Sequence, residues 1–184
     1  MIKNLKTKKR ISDAFLKEMQ NNSLSNISIN TLSDEAEVSR STFYRLFDSI
    51  PKLIKFTNEY VNYDVFNNFT NLSKETNSLD EWVLILVTEL YKCRTRLKIM
   101  YTSDLRSEWL TYLDNKYRNW EKENLFKNYH SAIIPKPMAI QIFTQSVSSV
   151  IEYWISSNSP ARPKIFQKQL LDLLKTKPLN IPTL

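Results

Sequence analysis

Apolar residues recur along this chain at intervals of three and four rather than two, which predicts helices and no strands. Residues 8 to 21 carry Ile11, Phe15 and Met19 at successive i+4 positions with Ala14 and Leu16 beside them, and Asn21-Asn22-Ser23 breaks the pattern. Ser28 is a good N-cap for a second short helix striped by Ile29, Leu32 and Ala36. The stretch SRSTFYRLF, residues 39 to 47, reads as a third. Ser49 and Pro51 mark the start of a long helix reaching about Leu72, with Leu53, Ile54, Tyr60, Val61, Val65, Phe69 and Leu72 as its apolar and aromatic positions. Ser78-Leu79-Asp80-Glu81 has the form of a capping box before a helix apolar nearly all round, a pattern expected of a helix buried on every side. Further helices are predicted near 97–101, 104–124, 137–157 and 163–176, separated at Pro135-Lys136-Pro137 and Ser159-Pro160-Ala161-Arg162-Pro163. The predicted fold class is all-α, and no internal repeat is visible.

The helix over 39–47 has two faces. Phe43, Leu46 and Phe47 share one, while Arg40, Ser41, Tyr44 and Arg45 lie away from it. Three short helices within residues 8 to 47, the last two joined by a few residues, match the helix-turn-helix plan, whose final helix enters the DNA major groove. Arginine can bond guanine O6 and N7 together, and hydroxyls serve phosphates or bases. A solvated face on an ordinary helix would show the same spacing, so spacing alone does not decide between them.

Composition narrows the alternatives. The 184 residues include no glycine, which weighs against phosphate-binding loops and tight hairpins. Cys93 is the only cysteine and His130 the only histidine, so no metal site, disulfide, histidine triad or cofactor is expected, and no compact set of nucleophile, base and orienter marks an enzyme. The apolar run at 82–87 is too short to span a membrane, and the basic N-terminus lacks an apolar signal core, so a cytoplasmic protein is expected. The formal net charge of +7 favours an anionic partner. Lys3, Lys6, Lys8, Lys9 and Arg10 cluster with no acid before Asp13, which suits either a solvated tail or one that tracks phosphates.

The run NISINTLSDEAEVSRSTFYRLFDSIPKLI, residues 26 to 54, resembles the DNA-binding segment of the TetR family of bacterial transcriptional regulators. The agreement lies in the hydroxyl cap Ser28, Leu32 and Ala36, Val38-Ser39 in the turn, and Thr42-Phe43-Tyr44 followed by Phe47. The resemblance implies that Ser28, Ser39, Thr42 and Tyr44 bind phosphates and that Arg40, Ser41 and Arg45 read bases, with Lys8 and Lys52 near the adjoining backbone. Three positions depart from the family pattern: Glu37 stands for a common turn glycine, Leu46 for a frequent histidine, and Ile50 for a phosphate-contacting lysine.

The same resemblance implies a DNA-binding domain over residues 1–50 and a larger helical domain over 51–184 that binds a small-molecule effector and forms a homodimer. Residues 138–157 and the segment after Pro163 resemble the family's last two helices, which pair in a four-helix interface. Val147, Ile151, Trp154, Phe166, Leu170, Leu173 and Leu174 are the expected contacts, with a monomer core as the competing reading. The aromatic residues Tyr60, Tyr63, Trp82, Tyr91, Tyr101, Trp109 and Tyr112 are candidates for lining an effector pocket, since pockets are mostly apolar. The expected function is a ligand-responsive homodimeric repressor on a pseudo-palindromic operator. The alternative is an interaction or coactivator subunit on the same fold that reaches DNA through a partner.

Overall fold

In the computed structural model, which describes residues 2–72, 78–124, 126–131 and 133–175, the described residues form nine α-helices and no strand. They are α1 (Ile2–Glu18), α2 (Ile29–Glu35), α3 (Arg40–Phe47), α4 (Ile50–Leu72), α5 (Leu79–Lys92), α6 (Arg94–Thr102), α7 (Arg106–Asn124), α8 (Lys136–Ser156) and α9 (Pro163–Lys175), with a single 3₁₀ turn at Leu24–Asn26. The all-α expectation holds. The helix expected from residue 8 begins at Ile2, and the one expected from residue 97 begins at Arg94. Ser78 precedes α5 without a side-chain capping bond, so the capping box is not formed by its hydroxyl. The α5 helix is also less enclosed than its composition predicts: Val83, Val87 and Leu90 are buried, whereas Trp82, Leu84 and Leu86 are only partly so. The side chains of Phe69 and Leu72 lie outside the described residues.

The first three helices close on one another through Ile11, Phe15, Leu16 and Met19 of α1, Leu32 of α2, Ala36 at its end, and Phe43 and Phe47 of α3, all buried. Burying an aromatic or large aliphatic side chain stabilises by about 1.5–3 kcal/mol, so this small unit depends on nearly every one of them. Leu53 of α4 joins the same core. Beyond it, α5 lies between α4 and α9, and α6 contacts α7 and α8. A buried hydroxyl pair, Ser12 and Thr57 at 2.9 Å, ties α1 to α4.

Between α2 and α3 the chain turns at Glu37, whose φ is 50°. The amide of Glu37 donates to Asp34 O at 3.0 Å and that of Val38 to Ser33 O at 2.9 Å. That pair of bonds is a Schellman ending, which calls for a left-handed residue and usually uses glycine. Here a side chain occupies the position, and Arg10 of α1 braces it. The guanidinium donates to the carbonyl of Ala36, to the carbonyl of Glu37 at 3.1 Å, and to the Glu37 carboxylate at 3.4 Å. After α3 the chain reverses again at Asp48, with φ 58° and ψ −37°. There the Ser49 amide donates to Phe47 O at 2.6 Å, a γ-turn of the rarer, strained hand.

In the larger part of the chain, Trp154 of α8 stacks on Phe166 of α9 with ring centroids 3.9 Å apart, stacks on Tyr91 of α5, and donates from its indole to Ala161 O at 2.8 Å. Ile151, Trp154, Phe166 and Leu170 are all buried within this one chain. Their apolar surface is covered by α5, α8 and α9 of the same chain, as the competing monomer-core reading expects. Val147 is partly buried against the same core, Leu173 is exposed, and the side chain of Leu174 lies outside the described residues.

Two side chains, Glu37 and Glu121, each cost the fold stability in a measurable way. A left-handed residue with a Cβ costs about 1 kcal/mol relative to glycine, and the exposed Arg10 contact to the Glu37 carboxylate returns only a few tenths. Glu37→Gly should therefore raise the urea and thermal midpoints, and an unchanged or lower midpoint would contradict the strain. The second concerns Glu121 of α7. Burial pushes its carboxyl above the usual range, and the Thr144 hydroxyl, donating at 2.7 Å, pulls it part of the way back. A raised folded-state pKa means that the ionised form is disfavoured in the fold, so this group's contribution is most favourable below the unfolded pKa and is lost as pH rises through the folded one. Glu121→Gln, which keeps an acceptor for Thr144, should stabilise the protein at neutral pH, with the advantage vanishing below the ordinary glutamate pKa. Melting curves across pH check this, and a gap that widens on acidification would refute it.

Candidate nucleic-acid interface

The outward face of α3 follows from its inward one. Phe43 and Phe47 are fully or almost fully buried, and with these two rings fixed, Arg40, Ser41, Tyr44 and Arg45 are all turned to solvent. Tyr44 meets the edge of Phe43 with centroids 5.9 Å apart, which steadies its ring while leaving it 44% exposed. At the helix start the Ser39 hydroxyl accepts from the Thr42 amide at 3.2 Å and lies 2.9 Å from Ser41 Oγ and 3.0 Å from Thr42 Oγ1. Ser28 caps α2 in the same way, accepting from the Thr31 amide at 3.1 Å with Thr31 Oγ1 at 2.8 Å. Each helix thus begins in an exposed cluster of hydroxyls beside amides with no intrahelical partner, the chemistry that suits a phosphate oxygen.

Charge around α3 is distributed unevenly. Glu35 pairs with Lys17 at 2.6 Å, Glu37 with Arg10 at 3.4 Å, and Asp48 with Lys52. Arg40 and Arg45 have no acidic partner among the described residues, and Asp34 of α2 is the acid in this region left without a cation. Exposed pairs contribute little stability. Their consequence here is to quench nearby negative charge while two guanidiniums stay free on one exposed face.

Seven of the nine expected DNA-contacting residues therefore lie in the α2 and α3 starts or on the open face of α3: Ser28, Ser39, Arg40, Ser41, Thr42, Tyr44 and Arg45. The other two are engaged within the chain. The Lys8 ammonium sits 5.3 Å from the Phe47 ring centroid and 5.6 Å from that of Phe56, bridging α1 to α3 and α4. Lys52 is paired with Asp48 one helical turn away. Ile50 is partly buried against the core, so the position where a cation was missed serves packing. Sequence reasoning also missed Arg10 as the brace of the α2–α3 turn. Its only signal was membership of the basic cluster.

The seven aromatic candidates for an effector pocket are mostly spent on packing. Tyr101 and Trp109 are buried edge to face, Tyr112 stacks on Trp109, Trp82 stacks on Trp120 with planes 3° apart, and Tyr91 stacks on Trp154. Tyr60 is buried beneath Lys9 and Arg96, whose charged groups lie 4.8 and 4.7 Å from its ring centroid. Burial pushes the phenols of Tyr60 and Tyr101 up to about 12. Tyr63 is 58% exposed. The seven are thus scattered over several helix contacts, because large rings stabilise helix-helix packing wherever they fall.

A three-helix unit with a capped, cation-bearing third helix, followed by a larger helical body, defines a helix-turn-helix protein, and the architecture is the TetR-type regulator fold. The chain matches a TetR transcriptional regulator from Streptococcus agalactiae 2603V with a TM-score of 0.66 at 20% identity, over 95% of this chain and 96% of that one. It matches the fatty acid degradation regulator FadR from Bacillus halodurans with a TM-score of 0.68 at 19% identity, over 91% and 94%. A dihydroxyacetone kinase operon activator, DhaS, matches with a TM-score of 0.51 at 21% identity, over 91% and 93%. No protein-family model and no curated protein sequence matches the chain. No helix among the described residues is long and apolar enough to cross a membrane.

Proposed function

We propose that this chain is a homodimeric transcriptional repressor that binds a pseudo-palindromic DNA operator through α3 and releases it when a small-molecule effector binds. The observation that carries the reading is the pair of unpartnered guanidiniums, Arg40 and Arg45, on the exposed face of a helix whose other face is locked into the core. In this reading residues 1–50 are the DNA-binding domain and 51–184 the effector and dimer domain. Ser28, Ser39, Thr42 and Tyr44 hold phosphates and set the register, while Arg40, Ser41 and Arg45 reach base edges. Two copies meet half-sites about 34–36 Å apart, so any change in the separation of the two α3 helices disfavours simultaneous engagement. An effector acts by binding better to the wrong spacing and shifting the population toward it.

The dimer contact falls to the outward residues of α8 and α9 rather than to those already buried. Met138, Ile142, Tyr153, Ile165 and Leu173 are all exposed, Tyr153 at 84%. On α8, Ser146 and Ser149 share the exposed stripe with Ile142 and Tyr153, and small residues there allow a second helix to approach closely. Tyr153→Glu should convert the dimer to monomer in sedimentation analysis without loss of helical content. A variant that remains dimeric would contradict this assignment.

DNA reading is tested by comparing the parent with Arg45→Ala over all single-base variants of its preferred duplex. The expected result is a loss of about 1–3 kcal/mol on the preferred site with relaxed preference at one position in each half. A uniform loss on every sequence would reduce Arg45 to a phosphate contact.

A further inference from the structure

The α6 helix sits between the DNA-facing unit and the body and presents a different chemistry to each side. One side carries Arg96, whose guanidinium bonds Asp64 of α4 and pairs with Asp13 of α1 at 3.2 Å. Another carries Arg94, Thr95, Lys98 and Thr102, and these face a groove of about 650 Å³ closed by the end of α1 and by the loop from α8 to α9. The size falls within the range of small-molecule sites, about 300–1,000 Å³. The lining is unlike an aromatic pocket, being rich in hydroxyls and amides, among them Ser23 and Asn158.

The charges of the groove are not balanced. Against Arg94 and Lys98 its lining holds one acid, Asp104, whose carboxylate is turned to the Leu24 amide and accepts from it at 2.8 Å, so one positive charge remains in excess. Arg94 is held at the rim by donation to Tyr91 O at 3.1 Å and by stacking on the Tyr91 ring at 4.5 Å, which orients its guanidinium without supplying an acid. Lys98, partly buried one turn further on, has no acidic partner among the described residues. Residues four apart on a helix have Cβ atoms about 5–6 Å apart, so the two cations rise from the same face of α6.

We propose that this groove binds a short organic anion with two acidic ends, one met by Arg94 and the other by Lys98, with the neighbouring hydroxyls taking its remaining oxygens. The ends are carboxylates or a carboxylate and a phosphate, since both accept charged hydrogen bonds from these donors. An occupant touches the end of α1 and the face of α6 together, and so bears on the seam that Arg96 and Leu24 hold closed. That it thereby acts as the effector rests on the regulatory reading above.

The test is an amide-resolved NMR titration of the full chain with phosphoglycolate and, separately, glutarate, at constant ionic strength. Saturable shifts confined to the groove with either anion support the site, and the anion that binds identifies the source of the second charge. Arg94→Gln and Lys98→Gln should each weaken binding about tenfold. Thr95→Glu, at an exposed position in the first turn of α6 where an acid suits the helix dipole, should abolish binding while the remaining spectrum is unchanged. No saturable shift with either anion, shifts that survive Thr95→Glu, or shifts centred on α3 would overturn the proposal. Repeating the titration with the preferred duplex separates the two readings. Duplex binding with an empty groove sinks the anion site alone, and a filled groove on a chain that binds no duplex sinks the regulatory reading alone.

Discussion

The burial of Phe43 and Phe47 is the constraint on which the proposed DNA surface depends. Both rings are enclosed by α1, α2 and α4, and a short helix of eight residues has too few internal bonds to hold itself together. Its rotation about its own axis is set by these rings together with the partly buried Leu46, and Arg40, Ser41, Tyr44 and Arg45 take up whatever direction is left. Position along the axis comes from the other device, the Ser39 cap at one end and the tight reversal at Asp48 at the other. The strained turns on either side of α3 are consistent with this. Two non-glycine residues with positive φ flank the one helix whose placement matters most, and Arg10 braces the first of them from α1.

That three-helix unit is joined to the body along α1, α4 and α6. Contact between them is polar as well as apolar: Ser12 with Thr57 is buried, Arg96 spans Asp13 and Asp64, and Asp104 receives Leu24. Directional bonds of this kind have a few good geometries, whereas oily contact tolerates sliding, so these bonds fix the register of the seam. Arg96 is the most exacting member. Its planar fork serves two carboxylates from different helices while stacking on Tyr60, a combination that lysine could not reproduce.

Much of this was legible in the sequence because local chemistry and tertiary need coincide. Helical spacing separated Phe43 and Phe47 from the polar face of α3, Ser28 marked the cap of α2, and Glu37 stood out because the TetR resemblance implies a glycine at that turn. Other features depend on partners distant in sequence. The run from Ile2 to Lys9 shows no sustained apolar stripe, yet leucine and lysine are good helix formers and α1 begins six residues earlier than its periodicity suggests. Lys8 and Lys52 look free until Phe47, Phe56 and Asp48 are placed beside them. On α8 and α9 an apolar stripe is equally suited to the chain's own core or to a second copy. Only the fold of the chain shows that Trp154 and Phe166 are already spent against each other.

The claim that α3 reads DNA directly is tested most plainly by selecting bound fragments from a randomised duplex pool with the purified chain, at low and at moderate salt. The account predicts an enriched palindrome whose half-site centres lie about one helical turn apart and which survives the higher salt, since base contacts outlast the loss of phosphate attraction. Fragments that bind at low salt without any common sequence would contradict it, leaving a basic helical protein that needs a partner to find its site.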